Sequence, residues 1–356
     1  MTHNVDIKSL RICIPIPDRR QGGMYTFLAN WRAWLDQQGV WHTQDTEADY
    51  NILFVNAFIV PYHLIAKIKR QRPDVKVVQR IDGSTTDYGR MDDSDDEQAR
   101  VNMLADLTIM QSEYSRYSTM KKFKLIQRDG PVIYNPVDLQ TFHPSNPLPD
   151  TTGGAIRVCN VSFSTARKKG TWQFATLAQQ HPDITFVLCG NYPDLPDLPN
   201  IELLGHLDRA ELAQAIRSCH CFIHLSENEA CPNVVTEALA SGLPVLYIDS
   251  GATTELVDHC GFPMTIETFR QQLDLILKQH PHLAMAARQR AEQNFAPEYI
   301  FSQYANAILG ARRHPLPTLQ DFLAASHQGY PVIPYRPRQL YWFAKRWASR
   351  NILRRA

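Results

Sequence analysis

Two glutamates, Glu229 and Glu237, bracket the run Glu-Ala-Cys-Pro-Asn-Val-Val-Thr-Glu, directly after an apolar stretch at 221–225 that reads as a buried strand. Pro232 suits the first turn of a helix, which places Glu229 in the preceding loop and Glu237 roughly two turns along a helix over 234–240. Carboxylates so placed accept hydrogen bonds from hydroxyl groups. The backbone of Ala230, Cys231, Pro232 and Asn233 leads into a helix start, where unpaired amides hold phosphate. An exposed loop glutamate and a surface helix glutamate fit the same run, so its neighbours decide. Those are Ser241-Gly242-Leu243-Pro244-Val245, a helix stop followed by a buried strand, and Asp249-Ser250-Gly251, a small-residue turn expected to form a second anion-friendly loop.

Three further clusters carry possible chemistry. Gly22 and Gly23 separate a strand from a helical segment at 25–38, where amides can approach an anion; a plain turn fits equally, and no G-x-G-x-x-G is present. Asp82, in Arg-Ile-Asp-Gly after a strand at 75–78, falls at the carboxyl edge where open α/β sheets bind ligands, though an aspartate that merely turns the chain with Gly83 fits too. Between Ser164 and Gly170, Lys168 and Lys169 could neutralise a diphosphate, or form a solvated basic turn.

Asp92, Asp93, Asp95 and Asp96 read as a solvated loop or a lip on the acceptor side. Lys67, Lys69, Arg70 and Arg72, with Lys121, Lys122 and Lys124, could extend a basic surface. Cys219, His220, Cys221 and His224 lie close together, but no second ligand pair follows at a zinc-like spacing. The seven cysteines therefore read as reduced core thiols, and no metal site is expected.

The elements that must position these residues come in two series. Apolar runs at 10–15, 51–55, 75–78 and 107–110 alternate with helical segments, the pattern of a parallel sheet covered by helices. The rhythm restarts at 156–161, 185–188, 201–203, 221–225 and 244–248. With 356 residues and 44% hydrophobic content, two cores are expected. The proline- and glycine-rich stretch after 144 marks the division, giving domains 1–144 and 145–305 and a C-terminal segment 306–356. A net charge of +1 gives no electrostatic reason to expect nucleic acid. No segment reaches the roughly 20 apolar residues of a membrane span, and the N-terminus lacks a signal-like run. A cytoplasmic or peripherally attached protein is the expectation.

The second half resembles the nucleotide-sugar domain of retaining family 4 glycosyltransferases of the GT-B fold. Glu229 and Glu237 fit that family's paired glutamates, and 238–245 its usual continuation. Asn135-Pro136-Val137-Asp138 with Phe142-His143-Pro144 looks like its interdomain signature, and Gly22-Gly23 its N-terminal glycine loop. The resemblance covers roughly residues 9–305. It implies two Rossmann-like, doubly wound α/β domains facing a cleft, and transfer of a hexose-type sugar from a nucleoside diphosphate to a glycan, lipid or small-molecule acceptor. It implies retained anomeric configuration and no essential metal or cofactor. Glu229 would contact the donor sugar, Glu237 the ribose, and Ser164, Lys168 and Lys169 the diphosphate, with Gly22 and Gly23 approaching from the other domain. Two positions depart from the family pattern. Serine stands at 164 in place of the basic motif's arginine, and Asp82 stands where many members carry histidine. The second departure motivates an alternative, a non-catalytic sugar-nucleotide-binding subunit; a GT-B sugar-nucleotide epimerase is another.

Residues 336–356 hold seven basic residues, no acid, and Tyr341, Trp342, Phe343 and Trp347. Such a tail suits an anionic membrane surface, or packing of its aromatics on the first domain, where GT-B chains return their C-terminal helices.

Overall fold

The computed structural model describes residues 7–17, 22–87, 89, 92–123, 130–151, 154–163 and 167–318. Ser164, Lys124 and the basic aromatic tail lie outside them.

The first sheet contains β1 (Arg11–Cys13), β2 (Trp41–Thr43), β3 (Ile52–Asn56), β4 (Lys76–Ile81) and β5 (Leu107–Met110), all parallel, in the order β2-β1-β3-β4-β5. Its helices are α1 (Gly23–Gln37), α2 (Tyr62–Gln71), α3 (Ser94–Asn102) and α4 (Glu113–Phe123). The second sheet contains β6 (Ile156–Ser162), β7 (Ile184–Gly190), β8 (Ile201–Gly205), β9 (Cys221–His224), β10 (Val245–Tyr247) and β11 (Gly261–Pro263), again parallel, in the order β11-β10-β9-β6-β7-β8. It is covered by α5 (Thr171–Gln180), α6 (Arg209–Arg217), α7 (Asn233–Ala240), α8 (Thr253–Val257), α9 (Phe269–Lys278) and α10 (His280–Asn294), and α11 (Pro297–Gly310) follows. Both sheets belong to one compact unit, Met1–His314.

The central strand β3 and the terminal strand β5 are both buried along their whole length, which explains their unbroken apolar runs. Two apolar layers, one on each face, enclose the second sheet: Phe222, Val235 and Leu239 pack on one side, and Phe174, Phe186 and Phe269 on the other. Helix α11 returns to the first sheet. Phe301 and Tyr304 join Phe27, Trp31 and Phe54 in a cluster with ring centroids 5.1–6.4 Å apart, and Trp34 Nε1 donates to Glu298 at 2.6 Å.

Several expectations are corrected. The short edge strands β2 and β11 were not foreseen, because three residues carry too little periodicity. Strand β4 runs on through Arg80 and Ile81, so Asp82 follows it directly. Pro232 is the extended N-cap of α7 and not part of its first turn, which places Glu237 little more than one turn along. Lys69 contributes no basic surface. It is 1% exposed, its Nζ 2.6 Å from Asp106 and 2.8 Å from the Leu104 carbonyl. Arg72 is likewise engaged, donating to the Ala48 and Tyr50 carbonyls. Asp95 lies in α3, and its carboxylate gathers Ser84, Thr85 and Thr86 through five hydrogen bonds of 2.6–3.1 Å. Despite half-burial, those donors hold its carboxyl below the usual range.

Candidate active site

Strand order determines where the chemistry gathers. In a doubly wound sheet, ligands bind beyond the carboxyl ends of the strands where the winding direction reverses. In the second sheet this point lies between β6 and β9. The segment after β6 carries Lys168 and Lys169, and the loop after β9 carries Glu229. In the first sheet the reversal lies between β1 and β3, and the chain leaving β1 reaches Gly22, the N-cap of α1.

Lys169 Nζ stands 2.5 Å from Glu229 Oε1, and His224 Nε2 lies 3.5 Å from the same oxygen. Burial alone would raise the Glu229 pKa. The adjoining His224 ring and the Lys169 ammonium outweigh it and hold the carboxyl far below its ordinary value. His224 closes β9, is 1% exposed and is fixed by Thr253 Oγ1, 3.0 Å from Nδ1. The sequence reading weighed this histidine only as a neighbour of Cys219 and Cys221. Its position at the carboxyl end of an apolar strand was the available signal. All seven cysteines are buried and free, and among the described residues no three His, Cys, Asp or Glu side chains group as metal ligands.

The loop at 249–252, expected to hold an anion, braces Glu229 in this structure: Ala252 N donates to the Glu229 carbonyl at 2.8 Å, and Asn228 N donates to Ser250 Oγ at 3.0 Å. Glu237 is 8% exposed, with Arg209 its nearest cation at 3.6 Å. Burial raises its pKa to about 7; Arg209 opposes the shift and Asp138 adds to it.

The opposite wall comes from the first sheet. Asp82 accepts from Asn56 Nδ2 at 2.8 Å, Arg80 Nη1 at 2.7 Å and Gln111 Nε2 at 2.6 Å, and its side chain remains 37% exposed. Gly83 has φ +100°, and a Cβ there would lie 2.8 Å from Ala230 Cβ. The Asp82-Gly83 turn therefore touches the loop that carries Glu229. A Cβ on Gly23 would come within 3.4 Å of Asn233 Nδ2, which brings the glycine loop to the start of α7. Ser112 Oγ donates to the Ala230 carbonyl. Glu255 accepts from the amides of Glu113 and Tyr114 at 3.0 and 2.9 Å, a carboxylate capping the positive end of α4.

Lys168 stands apart from Lys169. Its Nζ donates to the Asp87 carbonyl at 2.5 Å, and Asn228 Nδ2 donates to the same oxygen at 3.2 Å. The structure thus brings together Gly23, Asp82, Lys169, Glu229, Ala230 and Asn233, while Lys168 ties the 84–87 turn to the second sheet. Cys231 is buried, burial pushing its thiol up to about 12, and it offers its carbonyl to Asn135.

Residues 171–279 match the family model described as "Glycosyl transferases group 1". A GDP-mannose-dependent alpha-mannosyltransferase of Mycolicibacterium smegmatis is 29% identical over 160 residues, 41% of this chain and 42% of that protein. A protein of the same name from Mycobacterium tuberculosis is 33% identical over 97 residues, 26% of each. The matches therefore span less than half the length of these curated relatives. The structure of Anabaena HepE in complex with UDP-glucose is similar with a TM-score of 0.68 at 17% identity, over 84% of this chain and 99% of that one. Sucrose-phosphate synthase from Thermosynechococcus elongatus gives 0.61 at 16% identity, over 80% and 76%. The fold is GT-B, and over residues 171–279 the resemblance read in the sequence agrees with the group 1 glycosyltransferase model.

Proposed function

From a GT-B chain with a group 1 glycosyltransferase segment, we propose a retaining transferase that moves a hexose-type sugar from a nucleoside diphosphate to a glycan, lipid or small-molecule acceptor, without an essential metal. The observation that carries this reading is the Lys169–Glu229 pair at the reversal point of the second sheet, with Asp82 and Gly83 across from it. A donor diphosphate placed beside Lys169 gains a cation where charge develops as the anomeric carbon–oxygen bond breaks. Glu229, released from full pairing, accepts from a sugar hydroxyl. Glu237 accepts from the ribose. The acceptor oxygen bonds to the anomeric carbon on the face the diphosphate leaves, and its proton passes to a diphosphate oxygen, so no protein nucleophile is needed. Asp82, an acceptor held by three donors, orients a hydroxyl of the sugar.

The names of the relatives and neighbours make GDP-mannose and UDP-glucose the first donors to try. Purified protein is incubated in EDTA with UDP-, GDP- and ADP-sugars and a mixed lipid and glycan extract, and nucleoside diphosphate release is followed. Extract-dependent release that disappears in Glu229→Ala supports the proposal. Donor binding without release from any mixture overturns it in favour of a non-catalytic binding subunit, and donor turnover without acceptor favours a hydrolytic or epimerising reaction.

A further inference from the structure

We propose that Arg80 is a positioning residue that couples the Asp82 carboxylate to the start of α7 and so sets the geometry in which transfer occurs; this rests on the glycosyltransferase reading above. The guanidinium is 1% exposed and reaches four groups at once: Asn56 Oδ1 at 2.6 Å, Asp82 Oδ1 at 2.7 Å, Asn135 Oδ1 at 2.6 Å and Tyr304 OH at 3.2 Å. Its Cζ lies 3.9 Å from the Phe27 ring centroid. These partners come from β3, the turn after β4, the segment linking the two sheets, α11 and α1.

Asn135 extends the chain of contacts. While its oxygen accepts from Arg80, its amide donates to Asn233 Oδ1 at 2.8 Å and to the Cys231 carbonyl at 3.2 Å. A single planar fork thus joins the carboxylate on one wall to the helix start on the other. Such a buried ion pair is weak evidence of a stabilising role, since well-packed apolar groups often replace a whole pair without loss. What an apolar group cannot supply is a fixed direction for Asp82. Asn56, Gln111 and Arg80 donate to that carboxylate and leave its side chain 37% exposed, while the next residue, Gly83, lies against Ala230. Lysine keeps the charge but offers no planar fork, so it cannot hold Asp82, Asn135 and Tyr304 together.

The test is a double-mutant cycle on turnover, with nucleoside diphosphate affinity measured beside it. Arg80→Lys is expected to lower kcat about 10- to 100-fold, the scale of hydrogen bonds to a charged group, while affinity for the diphosphate stays within about twofold. In an Asp82→Asn background the same change is expected to cost less than about twofold, because its effect passes through Asp82. Tyr304→Phe removes one anchor and keeps the ring; it is expected to lower kcat about 3- to 10-fold and decides the matter if Arg80→Lys does not fold. The inference is overturned if kcat is unchanged in both variants, if the Arg80 and Asp82 effects multiply in full, or if affinity falls as far as kcat. A wild-type protein that binds and turns over no donor overturns the functional reading itself, and this inference with it.

Discussion

Gly83→Ala separates two energies that the structure keeps in different places. The first is conformational. At φ +100° a side chain is strained by about 1–2 kcal/mol wherever the rest of the molecule sits, and this should appear as lost stability in urea. The second is a contact. The new Cβ would lie 2.8 Å from Ala230 Cβ, which belongs to the second sheet's loop, so the clash is relieved by parting the two walls of the site. Overpacking of this kind costs about 1–3 kcal/mol, or about 5- to 150-fold in kcat/KM if transfer needs the walls together. Steady-state kinetics on the single variant and on Gly83→Ala/Ala230→Gly measure the second quantity alone. Deleting the Ala230 Cβ should restore most of kcat/KM and leave the stability loss in place. A double variant as slow as the single one would show that contact between the Asp82-Gly83 turn and Ala230 does not govern the reaction.

Lys169→Met leaves Glu229 without its close cation and should cost about 1–3 kcal/mol at pH 7, the pair being only partly buried. Glu229 has a depressed pKa, so its contribution is present above the ordinary value of 4.5 and fades as pH falls toward the folded-state value; the variant's deficit in urea should therefore shrink at pH 4. Glu237 has the opposite sign. Raised to about 7, it disfavours the folded state progressively as pH climbs from 4.5 through 7. If the ribose is held by its ionised form, diphosphate-sugar affinity should strengthen across that interval in calorimetry and be flat in Glu237→Gln. Phe301→Ala opens the cluster between α11 and the first sheet and should cost about 3–5 kcal/mol in urea.

The alternation of apolar runs and helical segments was enough to place both parallel sheets, because central strands buried on both faces leave continuous hydrophobic stretches. The Glu229 loop and the Gly22-Gly23 turn were legible for the same reason, since each follows such a strand. What stayed hidden depends on distant partners. His224 looks like one more strand residue until β10 and α8 bring Thr253 against its ring. Lys69 looks like surface charge on an exposed helix until Asp106, far along the chain, meets it in the interior. Asp95 sits in an acidic run that suggests solvent, yet the start of α3 brings it to the backbone amides of Thr85 and Thr86. The division of labour between Lys168 and Lys169 was beyond reach, because adjacent residues in a tight turn point to different sheets.

On the proposed reading Lys169, paired with Glu229 at the reversal point of the second sheet, receives the diphosphate of a sugar nucleotide. Calorimetric titration of UDP and of GDP into the wild-type protein and into Lys169→Met tests it directly. The wild type is expected to bind at least one of them, with a loss of about 10- to 100-fold in the variant, the worth of a charge-assisted hydrogen bond. Equal affinity in the two proteins would place the diphosphate away from Lys169.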